Sequence, residues 1–202
     1  MLQQSDFRRQ LVHTLRKLHG GPRFRNEFDM STIITRYCKV VAEKKIPLPI
    51  GSKDGLDHVN SIATALSTFR DHLVPCHNDC IPENILSDGK KIYLVDFDYS
   101  GQNDPCFELG NLCVENGFSD SQIRELVDAY FDGVSNQTLS RTCLHGLLSD
   151  IGWSLWAFIQ SSFSKIDFDF FSYGLKRWDR VVRKIANGET NTWLAWLFHT
   201  RS

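Results

Sequence analysis

The most informative stretch of this sequence is residues 76–98, which reads CHNDCIPENILSDGKKIYLVDFD. Within it, two short apolar runs, 84–87 and 91–95, flank the dipeptide Asp88-Gly89. An Asp-Gly pair between two such runs predicts a β-hairpin. Helical patterns dominate the rest of the chain, so we expect an α+β fold that is mostly α-helical and contains this one small hairpin.

Polar side chains flank this hairpin where the chain enters and leaves it. Asp79 and Asn84 precede the first strand, and Asp96 follows the second. The hairpin is therefore expected to bring two carboxylates and one amide oxygen together at one end. Oxygen ligands of this kind suit a hard cation such as Mg²⁺, which binds one or two carboxylates and leaves phosphate to complete its coordination.

The spacing of these residues, H-N-D-x-x-x-x-N and then D-F-D, is that of a kinase catalytic loop. The match continues through LVDFDYSG at 94–101, NDP at 103–105 and FELGN at 107–111. On these motifs the chain resembles the choline/ethanolamine kinase branch of the aminoglycoside phosphotransferase superfamily. The resemblance covers nearly the whole chain, and it implies that residues 1–202 form the C-terminal catalytic lobe of a protein-kinase-like phosphotransferase.

The resemblance also implies a role for each residue of the motif. Asp79 would orient the substrate hydroxyl and accept its proton, while Asn84 and Asp96 would hold Mg²⁺ that bridges the phosphates of ATP. His77 and Asp98 would support the loop. The implied reaction is transfer of a phosphoryl group from ATP to the hydroxyl of choline, ethanolamine or a similar amino alcohol.

A quaternary ammonium donates no ordinary hydrogen bond, so proteins hold it over aromatic faces. Trp153 and Trp156 lie three residues apart on one predicted helix, and the family places aromatic residues of this helix near the amine. Glu115 is a candidate counter-charge. Core packing of both tryptophans and solvation of Glu115 remain open alternatives, and Tyr173 and Trp178 are assigned to the core.

One part of such a phosphotransferase is missing from the sequence. The family's smaller first lobe supplies a Gly-rich loop and a strand lysine, and we find no G-x-G-x-x-G here. We therefore expect the N-terminal ATP-binding lobe to be absent, a separately encoded lobe to be a candidate partner, and turnover by this chain alone to be negligible. An aminoglycoside or other small-alcohol phosphotransferase, and an amine-binding module without catalysis, stay open as alternatives.

The composition limits the partners and the compartment. Lys and Arg number 23 against 24 Asp and Glu, a net charge of −1, so no basic field favours nucleic acid. The start of the chain lacks a signal peptide, and no apolar run could span a membrane. We expect a cytoplasmic protein whose six cysteines are reduced thiols, because none is in a C-x-x-C pair.

The apolar periodicity predicts the helices that surround the hairpin. A Ser119-x-x-Gln122 capping box predicts the start of one of them. The other predicted helices cover residues 5–19, 31–45, 57–72, 139–163, 168–186 and a last short segment, 192–199.

Overall fold

The computed structural model describes residues 2–198, which form eight α-helices and four short strands within that range. In chain order these are α1 Ser5–His19, α2 Met30–Lys44, α3 Ser52–Ser67, β1 Val74–Cys76, β2 Ile85–Ser87, β3 Ile92–Leu94, β4 Gly101–Asn103, α4 Pro105–Glu115, α5 Asp120–Phe131, α6 Asn136–Phe163, α7 Phe170–Ala186 and α8 Glu189–Leu197. The expected mostly helical α+β class is confirmed. None of the helices described is long and apolar enough to pass through a bilayer.

Helix α6 is the centre of the fold. It runs for 28 residues and packs against α2, α4, α7 and α8, and a helix enclosed in this way is apolar on most of its surface. At Gly110 the backbones of α4 and α6 approach so closely that a Cβ atom there would lie 2.4 Å from the Thr142 carbonyl oxygen. This contact fixes α4, which carries several polar residues of the site, against the core.

Apart from the core around α6, a second hydrophobic cluster lies under the hairpin. Leu11 and Leu15 of α1 pack in it with Ile85 and Ile92 of the hairpin, and with residues of α4 and α5. The two strands pair antiparallel, and the register sets Ile85 opposite Leu94. The inward face of the hairpin is thus anchored by isoleucines, which holds its polar end in a fixed position.

The expectation of a single strand pair is wrong. Strand β1 pairs antiparallel with β4, and Val74 lies opposite Asn103. Each of the two strands is only three residues long; one contains Pro75 and the other is polar. Contacts from distant residues maintain the pairing, since the Gln102 side chain accepts a hydrogen bond from the Phe24 amide at 2.9 Å. No local pattern of alternating hydrophobicity marks such strands.

Most predicted helices are present, but the third one is displaced. It was expected at 57–72 and is found at Ser52–Ser67, followed by a 3₁₀ turn at Arg70–His72. Gly55 explains the early start, because a Cβ atom at this position would lie 2.8 Å from the Trp178 ring. A glycine that resembles a helix breaker in the sequence is required for packing.

The predicted last segment reached His199, which, like residues 1 and 200–202 of the predicted domain, lies outside the described residues.

Asp104 stabilises the start of α4. Its carboxylate accepts a hydrogen bond from the Cys106 amide at 2.8 Å, and its other oxygen lies 2.7 Å from Arg141 Nη2 and 3.3 Å from His145 Nε2. Burial alone would raise the pKa of Asp104, but its interactions with His145 and Arg141 outweigh burial and hold the pKa well below the usual value. Asp104 therefore contributes stability when it is ionised.

We expect Asp104→Asn to lower the free energy of unfolding at pH 7 by about 2–3 kcal/mol, because it removes charge-assisted hydrogen bonds. An aspartate whose pKa is depressed by folding contributes stability above its unfolded pKa of about 3.9 and loses it as the pH falls further toward the folded value. In urea unfolding, the difference in free energy of unfolding between wild type and Asp104→Asn should therefore be smaller at pH 3 than at pH 7. Asp132→Asn, which removes an exposed partner of Arg16, is the control with little effect, and an Asp104→Asn difference that does not change with pH would contradict the assignment.

Candidate active site

The hairpin brings Asp79, Asn84 and Asp96 together, as the spacing predicts. Asn84 Nδ2 donates to the Asp79 carbonyl oxygen at 3.0 Å and to Asp79 Oδ2 at 3.2 Å. The Asn84 carbonyl oxygen accepts from the Val95 amide at 3.1 Å, which places Asn84 beside the residue before Asp96. The three side chains therefore form one polar cluster at the end of the hairpin.

The environment of Asp79 raises the pKa of its carboxyl group. Burial raises the pKa of this carboxyl above its usual value, and the neighbouring charge of Asp96 raises it further. His77, Asn84 and Arg177 act in the opposite direction without cancelling the effect. A carboxylate of raised pKa holds a transferred proton more readily, which is the property a general base needs.

Asn84 and Asp96 offer oxygen atoms that fit a hard cation. The Asn84 amide nitrogen is used on Asp79, which leaves Oδ1 as the atom available to a metal. Asp96 is exposed and its backbone has a φ of 62°, in the left-handed region. One carboxylate and one amide oxygen are a suitable donor set for Mg²⁺ when phosphate oxygens supply further ligands.

His77 connects the segment at Asp79 with the segment before Asp96. Its Nε2 lies 2.8 Å from the Val95 carbonyl oxygen, its Nδ1 accepts from the Asp79 amide at 3.3 Å, and its ring lies 4.6 Å from that of Phe97. Asp98 is exposed and borders a groove of about 620 Å³ along α2. His77 thus contacts both Asp79 and the segment before Asp96, whereas Asp98 lies at the edge of the site.

Glu108 is the residue that sequence reasoning missed. Fully buried on α4, it accepts hydrogen bonds from the amides of His77 at 2.9 Å and Asn78 at 2.6 Å, and it lies 2.8 Å from His19 Nε2. On the next turn of the helix, Asn111 Oδ1 accepts from the Cys80 amide at 2.8 Å. The signal in the sequence was a glutamate within an otherwise apolar helix, because a buried carboxylate requires partners.

An aromatic cluster begins beside the acidic residues. The Tyr99 ring meets Trp153 at 4.9 Å, Trp153 meets Trp156 at 6.2 Å, and Trp156 meets Tyr173 at 6.3 Å. Burial raises the pKa of both Tyr99 and Tyr173, and the negative charge of Asp79 raises it further, so both side chains lie within electrostatic range of Asp79.

The two predicted tryptophans differ in their surroundings. Trp153 is only 5% exposed and belongs to the core, whereas Trp156 is half-buried. Their rings are nearly perpendicular, at 87°, and so do not form two parallel faces. Tyr173, assigned to the core from the sequence, is half-buried beside Trp156, while Trp178 is 1% exposed and is confirmed as core.

Glu115 is already paired. Its side chain is 4% exposed and forms a buried ion pair with Arg177 of α7, with Arg177 Nε 3.3 Å from Glu115 Oε1. Burial raises the pKa of Glu115, although the charge of Arg177 opposes this. The carboxylate lies near the aromatic cluster, but it does not face the cluster as an isolated charge.

This geometry agrees with comparisons to known proteins. The sequence profile of the family described as choline/ethanolamine kinase matches residues 2–138. A choline/ethanolamine kinase family protein from Mesorhizobium loti has a similar structure, with a TM-score of 0.88 and 32% identity over 95% of this chain and 66% of that chain. Choline kinase LicA from Streptococcus pneumoniae has a TM-score of 0.76 and 25% identity over 91% of this chain and 64% of that chain.

Further relatives extend the comparison. Human ethanolamine kinase 1 is 27% identical over 144 residues, which are 58% of this chain and 32% of that protein. Aminoglycoside phosphotransferases share the fold at lower identity, so the predicted kinase-like fold is confirmed. The chain spans about two thirds of the length of the two bacterial relatives and about one third of the human one. With the profile matched over more than half of its length, this chain belongs to the choline/ethanolamine kinase family.

Proposed function

We propose that this chain forms the acceptor-binding and catalytic part of an ATP-dependent kinase that phosphorylates the hydroxyl of choline, ethanolamine or a close amino alcohol. The observation that carries the proposal is the cluster of Asp79, Asn84 and Asp96 at one end of the aromatic cluster. In this arrangement a hydroxyl would lie at Asp79 and the cationic amine among the neighbouring rings.

In this proposal Asp79 binds the acceptor hydroxyl, orients it and takes its proton as the phosphoryl group is transferred. Asn84 holds the Asp79 carboxylate in position through its amide nitrogen. Asn84 Oδ1 and Asp96 hold Mg²⁺, which neutralises the charge of the ATP phosphates when it is bound. His77 keeps Asp79 and the Asp96 segment at a fixed separation through its hydrogen bonds.

The remaining phosphate contacts come, in this proposal, from residues outside the sequence described here. Phosphoryl transfer depends on positioning and charge neutralisation, and the chain contains no G-x-G-x-x-G loop of its own. A Gly-rich lobe, on the same or a separate polypeptide, would cover the nucleotide above the exposed face of the hairpin, where Leu86 and Tyr93 are about half exposed.

Small amino alcohols suit the site better than aminoglycosides do. An aminoglycoside is a polycation and calls for several unpaired carboxylates around it. Near the aromatic cluster, the buried carboxylates of Glu115 and Asp150 are instead paired with Arg177 and Arg180. Aromatic faces together with neutralised carboxylates favour a single small cation.

Choline binding by Trp156 variants tests the acceptor assignment. We expect Trp156→Ala to weaken choline binding by about 1–2 kcal/mol, or roughly five- to thirtyfold, because it removes one ring face, and Trp156→Phe to recover part of the loss. Calorimetric titration of the folded variants with choline measures the change. Trp193→Ala, which removes a half-buried tryptophan of α8, is the matched control, and equal affinities for wild type and Trp156→Ala would assign Trp156 to the core.

A further inference from the structure

Arg177 makes two contacts that a solvent-facing arginine does not. Its guanidinium pairs with Glu115, both side chains being at most 8% exposed, and it lies over the Tyr173 ring with Cζ 3.6 Å from the ring centroid. Its charge also lowers the pKa of Asp79, against the effect of burial. Arg177 is therefore a buried cation that contacts the aromatic cluster and lies within electrostatic range of the catalytic carboxylate.

The next turn of α7 repeats the pairing. Arg180 binds both oxygens of Asp150 on α6, at 3.1 and 2.5 Å, and Asp150 is fully buried. Besides Glu115, the carboxylates that raise the pKa of Tyr173 are Asp79, proposed to bind the hydroxyl, and the exposed Glu83. Two arginines of α7 thus neutralise the buried carboxylates of Glu115 and Asp150.

This charge balance has different consequences for primary and quaternary amines. A primary ammonium carries three N–H donors, and burying them without acceptors is costly. A quaternary ammonium has no such donors and is attracted by aromatic faces alone. Both oxygens of Glu115 already accept from Arg177, so this neutralised carboxylate offers a primary ammonium a weaker acceptor than a free carboxylate would.

We propose that Arg177 is a specificity-determining residue: by neutralising Glu115 it makes the acceptor side of the site select a quaternary over a primary ammonium. The inference rests on the proposed function, since it concerns the acceptor of that same reaction. It names choline-like alcohols as the substrate class. It also assigns to Arg177 a role that neither the spacing of the motifs nor the position of the tryptophans indicates.

Titration of the 202-residue protein with choline and with ethanolamine at pH 8 tests the inference. Wild type should bind choline more tightly, by about tenfold or more, because ethanolamine leaves charged donors unpaired. Arg177→Met frees the Glu115 carboxylate to accept from a primary ammonium, so the choline-to-ethanolamine affinity ratio should fall by about tenfold. Arg8→Met, which frees Glu125 at the contact between α1 and α5, should leave the ratio unchanged.

A double variant keeps the test decisive if Arg177→Met does not fold. Glu115→Gln with Arg177→Met removes both charges, and proteins often tolerate the joint replacement of a buried ion pair. The choline-to-ethanolamine affinity ratio should return to within about threefold of wild type, because no carboxylate has been freed. Tighter binding of ethanolamine by wild type, an unchanged ratio in folded Arg177→Met, or a low ratio in the double variant would each overturn the inference. Binding of neither amine by wild type would instead overturn the proposed function itself.

Discussion

Replacing Asp79 with alanine should lower kcat by about two to four decades, the usual contribution of a general base. A suitable enzyme joins this chain to the part of the Mesorhizobium loti relative that the chain does not cover, about one third of that protein. The expected loss is this large because Asp79 is the carboxylate that Asn84 holds in place and whose pKa burial raises. The measurement is choline-dependent ADP release under steady-state conditions.

Asp79→Asn separates proton transfer from positioning. The asparagine has the same shape and can still accept from Asn84, but it cannot take a proton from the substrate. A loss close to that of the alanine variant would support the role as a base, whereas near-full activity of Asp79→Asn would contradict it. Asp57→Ala removes an exposed aspartate of α3 and serves as the control for general effects of losing a carboxylate.

The cluster of Asp79, Asn84 and Asp96 could be predicted because the residues that form it are close together in the sequence. Asp88 Oδ1 accepts from the amides of Lys90 and Lys91 at 2.8 and 2.7 Å, and Gly89 has a φ of 84°. These are the contacts that an Asp-Gly turn makes through its own side chain and its glycine. Once the turn is known, the register follows, and the residues before the first strand and after the second must lie side by side.

Long-range pairing could not be predicted in the same way. Glu115 and Arg177 are 62 residues apart, and each belongs to a helix whose sequence gives no sign of the other. The sequence therefore indicated Glu115 as a candidate charge but did not show that the charge is neutralised. The tryptophan pair is a similar case, because an i, i+3 spacing places two side chains on one helix face without fixing the angle between their rings.

The hydrogen bonds that Glu108 makes to the loop at His77 and Asn78 could not be predicted either, because the residues are far apart in the sequence. Glu108 lies 31 residues after His77 and 89 after His19, so only the fold shows that one carboxylate forms hydrogen bonds with both residues. Asn78, whose amide it binds, has a φ of 68°, a conformation that non-glycine residues adopt infrequently. The loop residue before Asp79 is thus held in an unusual conformation by a carboxylate from another element.

Glu108→Ala should therefore lower the free energy of unfolding by about 3–5 kcal/mol, the usual cost of removing one partner of a buried charged network. Burial alone would raise the pKa of Glu108, but its interactions with His19 and the two loop amides outweigh burial and lower it. The carboxylate is thus ionised in the folded protein at neutral pH. Its removal leaves the amides of His77 and Asn78 buried without an acceptor.

Hydrogen exchange distinguishes this local role from a general loss of packing. In Glu108→Ala the amides of His77 and Asn78 should exchange at least about a hundredfold faster, because each loses a bond to a charged acceptor worth up to about 3 kcal/mol. Glu108→Gln keeps the shape but offers one acceptor oxygen where two are needed, so it should protect one of the two amides at most. Glu125→Gln, on the surface-facing side of α5, is the control. Unchanged unfolding and unchanged exchange of both amides in Glu108→Ala would show that the loop holds its conformation without Glu108. The Asn111 bond to the Cys80 amide and the His77 hydrogen bonds to Val95 and Asp79 would then be its main support.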